Sequence, residues 1–480
     1  MNDITIEIYD GSTRISDILG DLEFVEGVEF TCHIPGGDYG DASFFIERPV
    51  TDPLLFEIGH RVVFYNGQTV VYEGYISGIT RLIEANRQGV EVHCVGGTEW
   101  ILMKYAFEKF WCDTRIGEDA WAWIPAAAAS EKCDLDRNNR LLFIPRAVAW
   151  ASNDRAGVVH SQPYGQTAKK ITFNYILTTP AACPNWTLMI RTNTTPTPTV
   201  EWSVSRTSAG TSSGSASVVL TAPHRQSQII LQADDAYTPP GDDTLKAEIT
   251  SIKLYSETDS AITMNVVAED IIDEVSGKGL INSSKNLLET PSTQLTIEPF
   301  ITNGYPSAAD ILNDAVGRGD GAYNRWMWGL KHSGSIHGAD GKPVLYIQQY
   351  PSTSDWEYEI AFGDENIVGG VELFLDGLAI VNRIITSRTD ETGKHVYRTP
   401  EEDADLEDTN SQTTYRVISG VRLDAGDASQ AEATAYAKRF KATYSTPQYR
   451  LQRPLELVNY IRGKNGIEFP VRRVKPGERI

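Results

Sequence analysis

Apolar and polar positions alternate from the start of the chain. Ile4, Ile6 and Ile8 alternate with Thr5, Glu7 and Tyr9, a period of two that predicts a strand with one buried face. The sharpest local signal follows at Gly59–Gly74. Val62–Tyr65 and Thr69–Tyr72 flank Asn66-Gly67, and Asn-Gly supplies the positive φ values of a tight hairpin turn. Tyr75–Thr80 and Val90–Val95 read as further strands, with Asn86–Gly89 as the turn between them. Thr98 then stands where it can cap a short helix over Glu99–Tyr105. A small antiparallel barrel or sandwich fits this first region.

The pattern changes after Tyr105. Phe107–Trp123 is rich in aromatics, and Ala126–Ala129 marks a hinge or short helix. From Lys170 six strand-like runs recur: Ile171–Ile176, Trp186–Arg191, Val200–Val204, Ser217–Leu220, Gln228–Leu231 and Glu248–Tyr255. Loops rich in Ser, Thr, Pro and Gly separate them, at Asn193–Pro198 and Ser208–Ser215, and the spacing predicts a β-sandwich. Helical spacing begins at residue 265. Ala268–Val275 is followed by Gly277 as a C-cap, and Ser307 opens S-x-x-D before Ile311, Leu312, Ala315 and Val316. Ser429 opens S-x-x-E before Ala433, Tyr436, Ala437, Phe440 and Tyr444, and Pro447 stops that pattern. Strands at Val344–Gln349, Glu357–Ala361 and Ala379–Thr386 lie between, so the last region is α+β. The fold class read from the pattern is mainly β with some α+β, in three domains at 1–105, 106–262 and 263–480.

Composition narrows what such a chain does. At 480 residues with 41% hydrophobic residues it has the material for several cores. Lys+Arg 43 against Asp+Glu 64 leaves a net charge of −21, which argues against a specific nucleic-acid partner. No run approaches the roughly 18 apolar residues of a membrane helix, so no stable membrane insertion is expected. The start, MNDITIEIYD, has no basic segment followed by an apolar one and does not read as a secretory leader. The cysteines Cys32, Cys94, Cys112, Cys133 and Cys183 lack C-x-x-C spacing and read as packed free thiols of a reducing compartment.

The motifs that could carry chemistry are weak. Gly210–Gly214 matches G-x-S-x-G, but it falls in a Ser/Gly loop between strands instead of a strand-to-helix elbow. Asp134, Asp136 and Asn138 resemble the opening of a calcium loop, yet Asn139 and Pro145 stand where Gly and Glu are needed, so a turn is expected. Eight scattered histidines show no metal spacing, and no catalytic residue, metal or cofactor is expected. Glu401–Asp408 places six acids in eight residues, a solvated, self-repelling loop or a cation holder. Arg450–Ile480 carries eight basic residues against three acidic ones. Arg472, Arg473 and Lys475 there are candidates for docking to an acidic neighbour, with a solvated edge as the alternative. Trp186, Trp202, Tyr175 and Tyr237 lie in the second β region. Aromatic faces stack on sugar rings, so these four are candidate glycan contacts, against core packing as the default for strand aromatics.

Several stretches, in order, resemble one family: hub or minor tail proteins at the tail tip (baseplate) of long-tailed bacteriophages. In the first domain they are Gly37–Phe45, Gly59–Phe64 and Val71–Gly78. In the last they are Trp326–Gly329, Gly341–Leu345, Val381–Arg383, Ser429–Thr446 and the closing Val474–Ile480. The resemblance implies two hub-type β-barrel domains, the second with helices. It implies a homo-oligomer, usually a trimer, joined to the tail tube, the distal tail ring and fibre or receptor-binding proteins. Such a protein folds in the bacterial host cytoplasm and ends at the virion tail tip as a structural component, not an enzyme. Residues 106–262 depart from the family pattern. Tyr164–Tyr175 and Ile249–Tyr255 look like the first and last strands of a jelly-roll similar to carbohydrate-binding modules, so an inserted sandwich in contact with host surface glycans is expected. The alternatives are a carbohydrate-binding adhesion protein and a tail-associated cell-wall hydrolase.

Overall fold

The computed structural model describes residues 4–470 apart from 16–24, 34–37, 68, 85–86, 108, 115–120, 125–129, 137–139, 162–165, 193–197, 242–243, 259–260, 299, 303–305, 332–341, 351–357, 360–366, 369–372, 391–393, 427, 452–455, 458–459 and 465. The described chain is mostly β, in several antiparallel sheets.

The first seven strands are β1 (Ile4–Asp10), β2 (Thr13–Arg14), β3 (Val25–His33), β4 (Asp38–Glu47), β5 (Arg61–Asn66), β6 (Thr69–Glu84) and β7 (Arg87–Val95). They form one antiparallel sheet in the order β2-β1-β5-β6-β7-β4-β3, an open-edged half-barrel. Register shifts at Phe64/Tyr65 and at Ile76/Gly78 let the long strand β6 bend, as bulges do. The sheet curls round Ile6, Ile8, Phe44, Phe64 and Tyr72, with Phe64 and Tyr72 at a centroid distance of 4.8 Å. Gly74 is required by close approach: a Cβ there would stand 2.4 Å from both the Tyr72 hydroxyl and the Val95 carbonyl. The β5–β6 turn differs by one residue from expectation. Asn66 stays in the strand, paired with Thr69, and Gly67 takes the positive φ of +63°. Thr98 is not a cap either. It lies inside a single helical turn, Thr98–Leu102, for which Gly97 is the N-cap.

The middle strands are β8 (Phe110–Asp113), β9 (Ala122–Trp123), β10 (Cys133–Asp136), β11 (Leu141–Pro145), β12 (Arg155–Ser161), β13 (Ala168–Thr179), β14 (Asn185–Thr192), β15 (Thr199–Thr207), β16 (Gly210–His224), β17 (Gln226–Ala233) and β18 (Lys246–Tyr255). One sheet runs β10-β11-β18-β13-β16, with β8 paired to β18; the other runs β15-β14-β17-β12-β9. Both contribute to a single buried core that includes Trp150, Ile171, Phe173, Trp186, Leu188, Ile229 and Leu231, which makes this unit a β-sandwich. β8 leads into the sandwich and β18 leads out, and they lie side by side, with Leu254 opposite Asp113 and Tyr255 opposite Cys112. Of the loop expected at Ser208–Ser215 only Ser208 and Ala209 turn; the rest is strand. Gly210–Ser215 opens β16 and pairs residue for residue with Asn174–Thr179, with a Ser215–Asn174 side-chain hydrogen bond at 2.6 Å and a Thr178–Thr211 bond at 3.1 Å. Pairing to a strongly β neighbour overrides the weak propensity of a Ser/Gly run. Ser212 therefore sits within a strand, which removes the strained elbow a nucleophile needs. Asp134 and Asp136 likewise lie in β10, not in a turn, and are held by Arg146 (2.6 Å) and Arg140 (3.0 Å). The Ala126–Ala129 segment lies outside the described residues.

Beyond the sandwich come α1 (Met264–Gly277), β19 (Phe300–Ile301), α2 (Ala308–Gly317), β20 (Trp326–Lys331) and β21 (Val344–Gln349). The two helices pack with the β20–β21 pair on a core that reaches back to Leu102 and Trp111. Short strand pairs follow: β22 (Tyr358–Glu359), β23 (Ile367–Val368) and β24 (Leu373–Asp376), paired with β30 (Tyr460–Gly463), β29 (Glu456–Leu457) and β28 (Gln448–Leu451) respectively, while β31 (Glu468–Pro470) adds to β30. β25 (Arg383–Thr389) pairs antiparallel with β26 (His395–Arg398) and in parallel with β27 (Gly420–Asp424), next to α3 (Thr409–Tyr415) and α4 (Gln430–Tyr444). Both expected capping boxes are present, Ser307 with Asp310 and Ser429 with Glu432. Gly277 is the last residue of α1, Lys278 is the cap, and Gly279 takes the left-handed φ of +77°. The segment Ala379–Asn382, expected as strand, precedes β25 without joining it. The acidic loop is not self-repelling: Glu401 and Glu407 pair with Arg383, Asp403 with Arg398, and Asp405 with Lys438.

Candidate ligand-binding face

Strand alternation gives each sandwich sheet an inner and an outer face. In β14, Trp186, Leu188 and Ile190 belong to the core, so Thr187, Met189 and Arg191 face outward. In β17, Ile229 and Leu231 belong to the core, so Gln228, Ile230 and Gln232 face outward. In β12, Ala156 and Val158 point in, and Arg155, Gly157 and Val159 point out.

Register aligns these outward positions in three rows. Ser205, Thr187, Gln232 and Arg155 form one, Ser203, Met189, Ile230 and Gly157 the next, and Val200, Arg191, Gln228 and Val159 the third. The two outer rows are polar at their centre and the middle one is apolar. The face is sheltered although it lies outside the core: Thr187 is 8% exposed, Met189 6%, Gln228 7% and Ile230 1%.

Side-chain hydrogen bonds hold the polar groups in place. Arg155 Nε donates to Gln232 Oε1 (2.7 Å), and Arg191 Nη2 and Nε donate to Gln228 Oε1 (2.9 and 3.3 Å). Gln232 Nε2 donates to Asp234 (3.1 Å), which also accepts from the Thr187 hydroxyl (2.7 Å). The Gln228 amide nitrogen and the terminal guanidinium nitrogens of Arg155 have no partner among the described residues. Burial, and then the like charge of Arg155, push the Arg191 guanidinium below its ordinary value. The middle row is covered, so the groups of this face that can pair with a ligand's hydroxyls are the planar donors of half-buried Arg155 and Arg191. No group of three or more His, Cys, Asp or Glu that could hold a metal ion occurs among the described residues.

The aromatic candidates lie elsewhere. Trp186 is fully buried between the sheets, edge-on to Trp150 at 5.0 Å, where no ligand reaches it. Trp202 and Tyr175 are half-buried on the inner side, in contact with each other at 4.9 Å and with the core through Phe173. Tyr237 is half-buried and donates to Asp235 Oδ2 (3.3 Å), with burial pushing its hydroxyl pKa up. These four do not gather into one surface. Arg472, Arg473 and Lys475 lie outside the described residues. The residues missed by sequence reasoning are Arg155, Arg191, Gln228 and Gln232. A signal was present in Gln228-Ile-Ile-Leu-Gln232, where polar side chains sit at even spacing against the core-facing Ile229 and Leu231.

No protein-family model and no curated sequence matches the chain. Solved structures similar to the sandwich include carbohydrate-binding modules. The N-terminal cellulose-binding domain of β-1,4-glucanase C from Cellulomonas fimi shares 13% identity over 32% of this chain and 95% of that one, with a TM-score of 0.19. The family 29 carbohydrate-binding module from Piromyces equi shares 10% over 31% and 91%, with a TM-score of 0.20. The family 11 module from Clostridium thermocellum shares 13% over 31% and 95%, with a TM-score of 0.19.

Proposed function

We propose that the chain is a structural protein of the tail tip of a long-tailed phage, whose inserted sandwich holds host surface glycans. One observation carries the reading: the sandwich is entered and left through the neighbouring strands β8 and β18, so it projects from a framework whose two parts lie on either side of it in sequence. The stretches that resemble tail-tip hubs fall in that framework. Gly59–Phe64 and Val71–Gly78 coincide with β5 and β6, Trp326–Gly329 with β20 and Ser429–Thr446 with α4. The face built by Arg155, Arg191, Gln228 and Gln232 supplies the glycan contact. In this reading the protein assembles and binds but does not catalyse. It works as a homotrimer among other tail proteins, in the virion, after folding in the host cytoplasm.

Immunogold electron microscopy of particles tests the assembly part. Label confined to one tail end supports it, and particles without label overturn it. A glycan array probed with the full chain tests the binding part. Hits that vanish in Gln228→Ala support it. Hits that persist in that variant, or no hits at all, overturn it.

A further inference from the structure

A cleft lies between the end of α2, the start of β20 and the side of α4. Its volume is about 340 Å³, near the lower end of small-molecule sites, roughly 300–1,000 Å³. Its walls are aromatic: Trp326, Tyr350, Tyr436, Phe440 and Tyr444. Its polar content is Thr443 and two arginines, Arg325 and Arg439. Arg439 is half-buried, donates to the Gly317 carbonyl (2.5 Å) and stands 5.6 Å from the Tyr436 ring centre. Arg325 is exposed and lies over the Tyr350 ring at 5.3 Å.

Neither arginine has a carboxylate within salt-bridge distance among the described residues. The nearby acids are engaged elsewhere. Glu432 and Asp314 hold Arg318, while Asp320 accepts from Trp326, Asn324 and Ala322. Two like charges thus share an aromatic-walled cleft on a chain whose net charge is −21. Burial above all pushes Arg439 below its ordinary value; Arg325 adds to this, while Tyr436 and the Asp320 carboxylate oppose it, and a bound anion would oppose it further.

We propose that this cleft binds a carboxylate carried on a flat apolar group. The two guanidinium groups take the carboxylate oxygens through charge-assisted hydrogen bonds, and the flanking rings take the flat group by stacking. The cavity has room for about one ring and its carboxylate. This site is on a different part of the chain from the sandwich face and stands independently of glycan binding.

Titration calorimetry of the full chain with phenylacetate tests it, with phenylacetamide and acetate as comparators. Phenylacetate is expected to bind at least about tenfold tighter than either, because only it offers both charge and ring. Arg325→Gln is expected to weaken phenylacetate at least about tenfold without moving the thermal unfolding midpoint, since its side chain makes no hydrogen bond among the described residues. Arg439→Gln is expected to do the same while also loosening the α2–α4 contact. Equal binding of phenylacetate and phenylacetamide, no binding of phenylacetate, or an Arg325→Gln variant that binds as well as the parent overturns the proposal.

Discussion

Asp320 offers the most direct test of the physical reasoning. Its carboxylate is 1% exposed and accepts four hydrogen bonds: from the backbone N–H of Ala322 (3.0 Å) and Asn324 (2.9 Å), from Asn324 Nδ2 (3.1 Å) and from Trp326 Nε1 (2.9 Å). The carboxylate thereby fixes the loop that delivers Trp326 to β20. In Asp320→Ala, water reaches the donors of exposed Ala322 and half-buried Asn324, so their loss costs little. The Trp326 indole is 9% exposed, and its N–H is left buried without a partner. An orphaned buried donor costs about 1–3 kcal/mol, and a lost hydrogen bond to a charge about 1.5–3 kcal/mol. Relief of the carboxylate's own desolvation offsets part of this. The expected net loss is about 3 kcal/mol, or roughly a 150-fold change in a local opening equilibrium. Hydrogen exchange read by mass spectrometry reports it, in peptides covering β20, whose amides pair with β21. Asp320→Asn is expected to fall in the same range, because an amide NH2 turned toward donors cannot accept from them. A change below about fivefold in both variants would refute the account, since the four donors would then contribute almost nothing.

Other consequences are equally open to measurement. Gln228→Ala and Gln232→Ala, which release the heads of Arg191 and Arg155, are expected to reduce glycan affinity about tenfold and to cost about 1 kcal/mol of stability each, whereas Trp186→Ala is expected to destabilise the sandwich by about 3–5 kcal/mol; the reverse pattern in calorimetry and urea unfolding would return the site to the aromatics. Cys94, Cys112, Cys133 and Cys183 are buried free thiols, and burial pushes Cys94 and Cys133 up to about 12, so Ellman's reagent at pH 8 is expected to leave all four unlabelled until the chain unfolds. Two or more thiols labelled rapidly in the native protein would contradict this. The Lys132 ammonium holds the Asp154 carboxyl below its usual value. A group depressed in the folded state adds stability above its unfolded pKa of about 3.9 that is lost as pH falls through the folded value, so urea midpoints for the sandwich are expected to decline below about pH 4, and less steeply in Asp154→Asn. Ser429→Ala removes the cap bond to Glu432 N–H (3.3 Å) and is expected to cost about 1 kcal/mol in thermal unfolding.

Local chemistry determined much of this molecule. The Ile4–Tyr9 alternation, the capping boxes at Ser307 and Ser429 and the stop at Pro447 act within a few residues of themselves. A hydroxyl three positions before a carboxyl satisfies helix N–H groups wherever the helix packs. The β-rich class and the sandwich strands were legible for the same reason, because period-two runs need only a partner to become sheet. Hinge glycines were legible only to within a residue or two. Asn66-Gly67 and Gly277 mark the turn and the helix end, but strand register and the last helical hydrogen bonds choose which residue carries the positive φ.

Tertiary structure decided the rest. Gly210–Ser215 becomes strand only because β13 lies beside it, and the acids of 401–408 are held only because Arg383, Arg398 and Lys438 converge on them from distant positions. The candidate sites show this most clearly. Trp186 and Gln228 both sit on strands of one sheet; the alternation of Gln228 and Gln232 with Ile229 and Leu231 marks an outer face, but nothing in the sequence around Trp186 says that its ring turns toward the second sheet. Once the sandwich closes, the large apolar rings go inward, and the outward rows are left to Arg155, Arg191, Gln228 and Gln232. Arg325 and Arg439, more than a hundred positions apart, meet only because α4 packs across the end of α2. A single chain segment carries its own periodicity and caps, but the side of a sheet that stays free, and the charges that meet across a cleft, are properties of how segments are assembled.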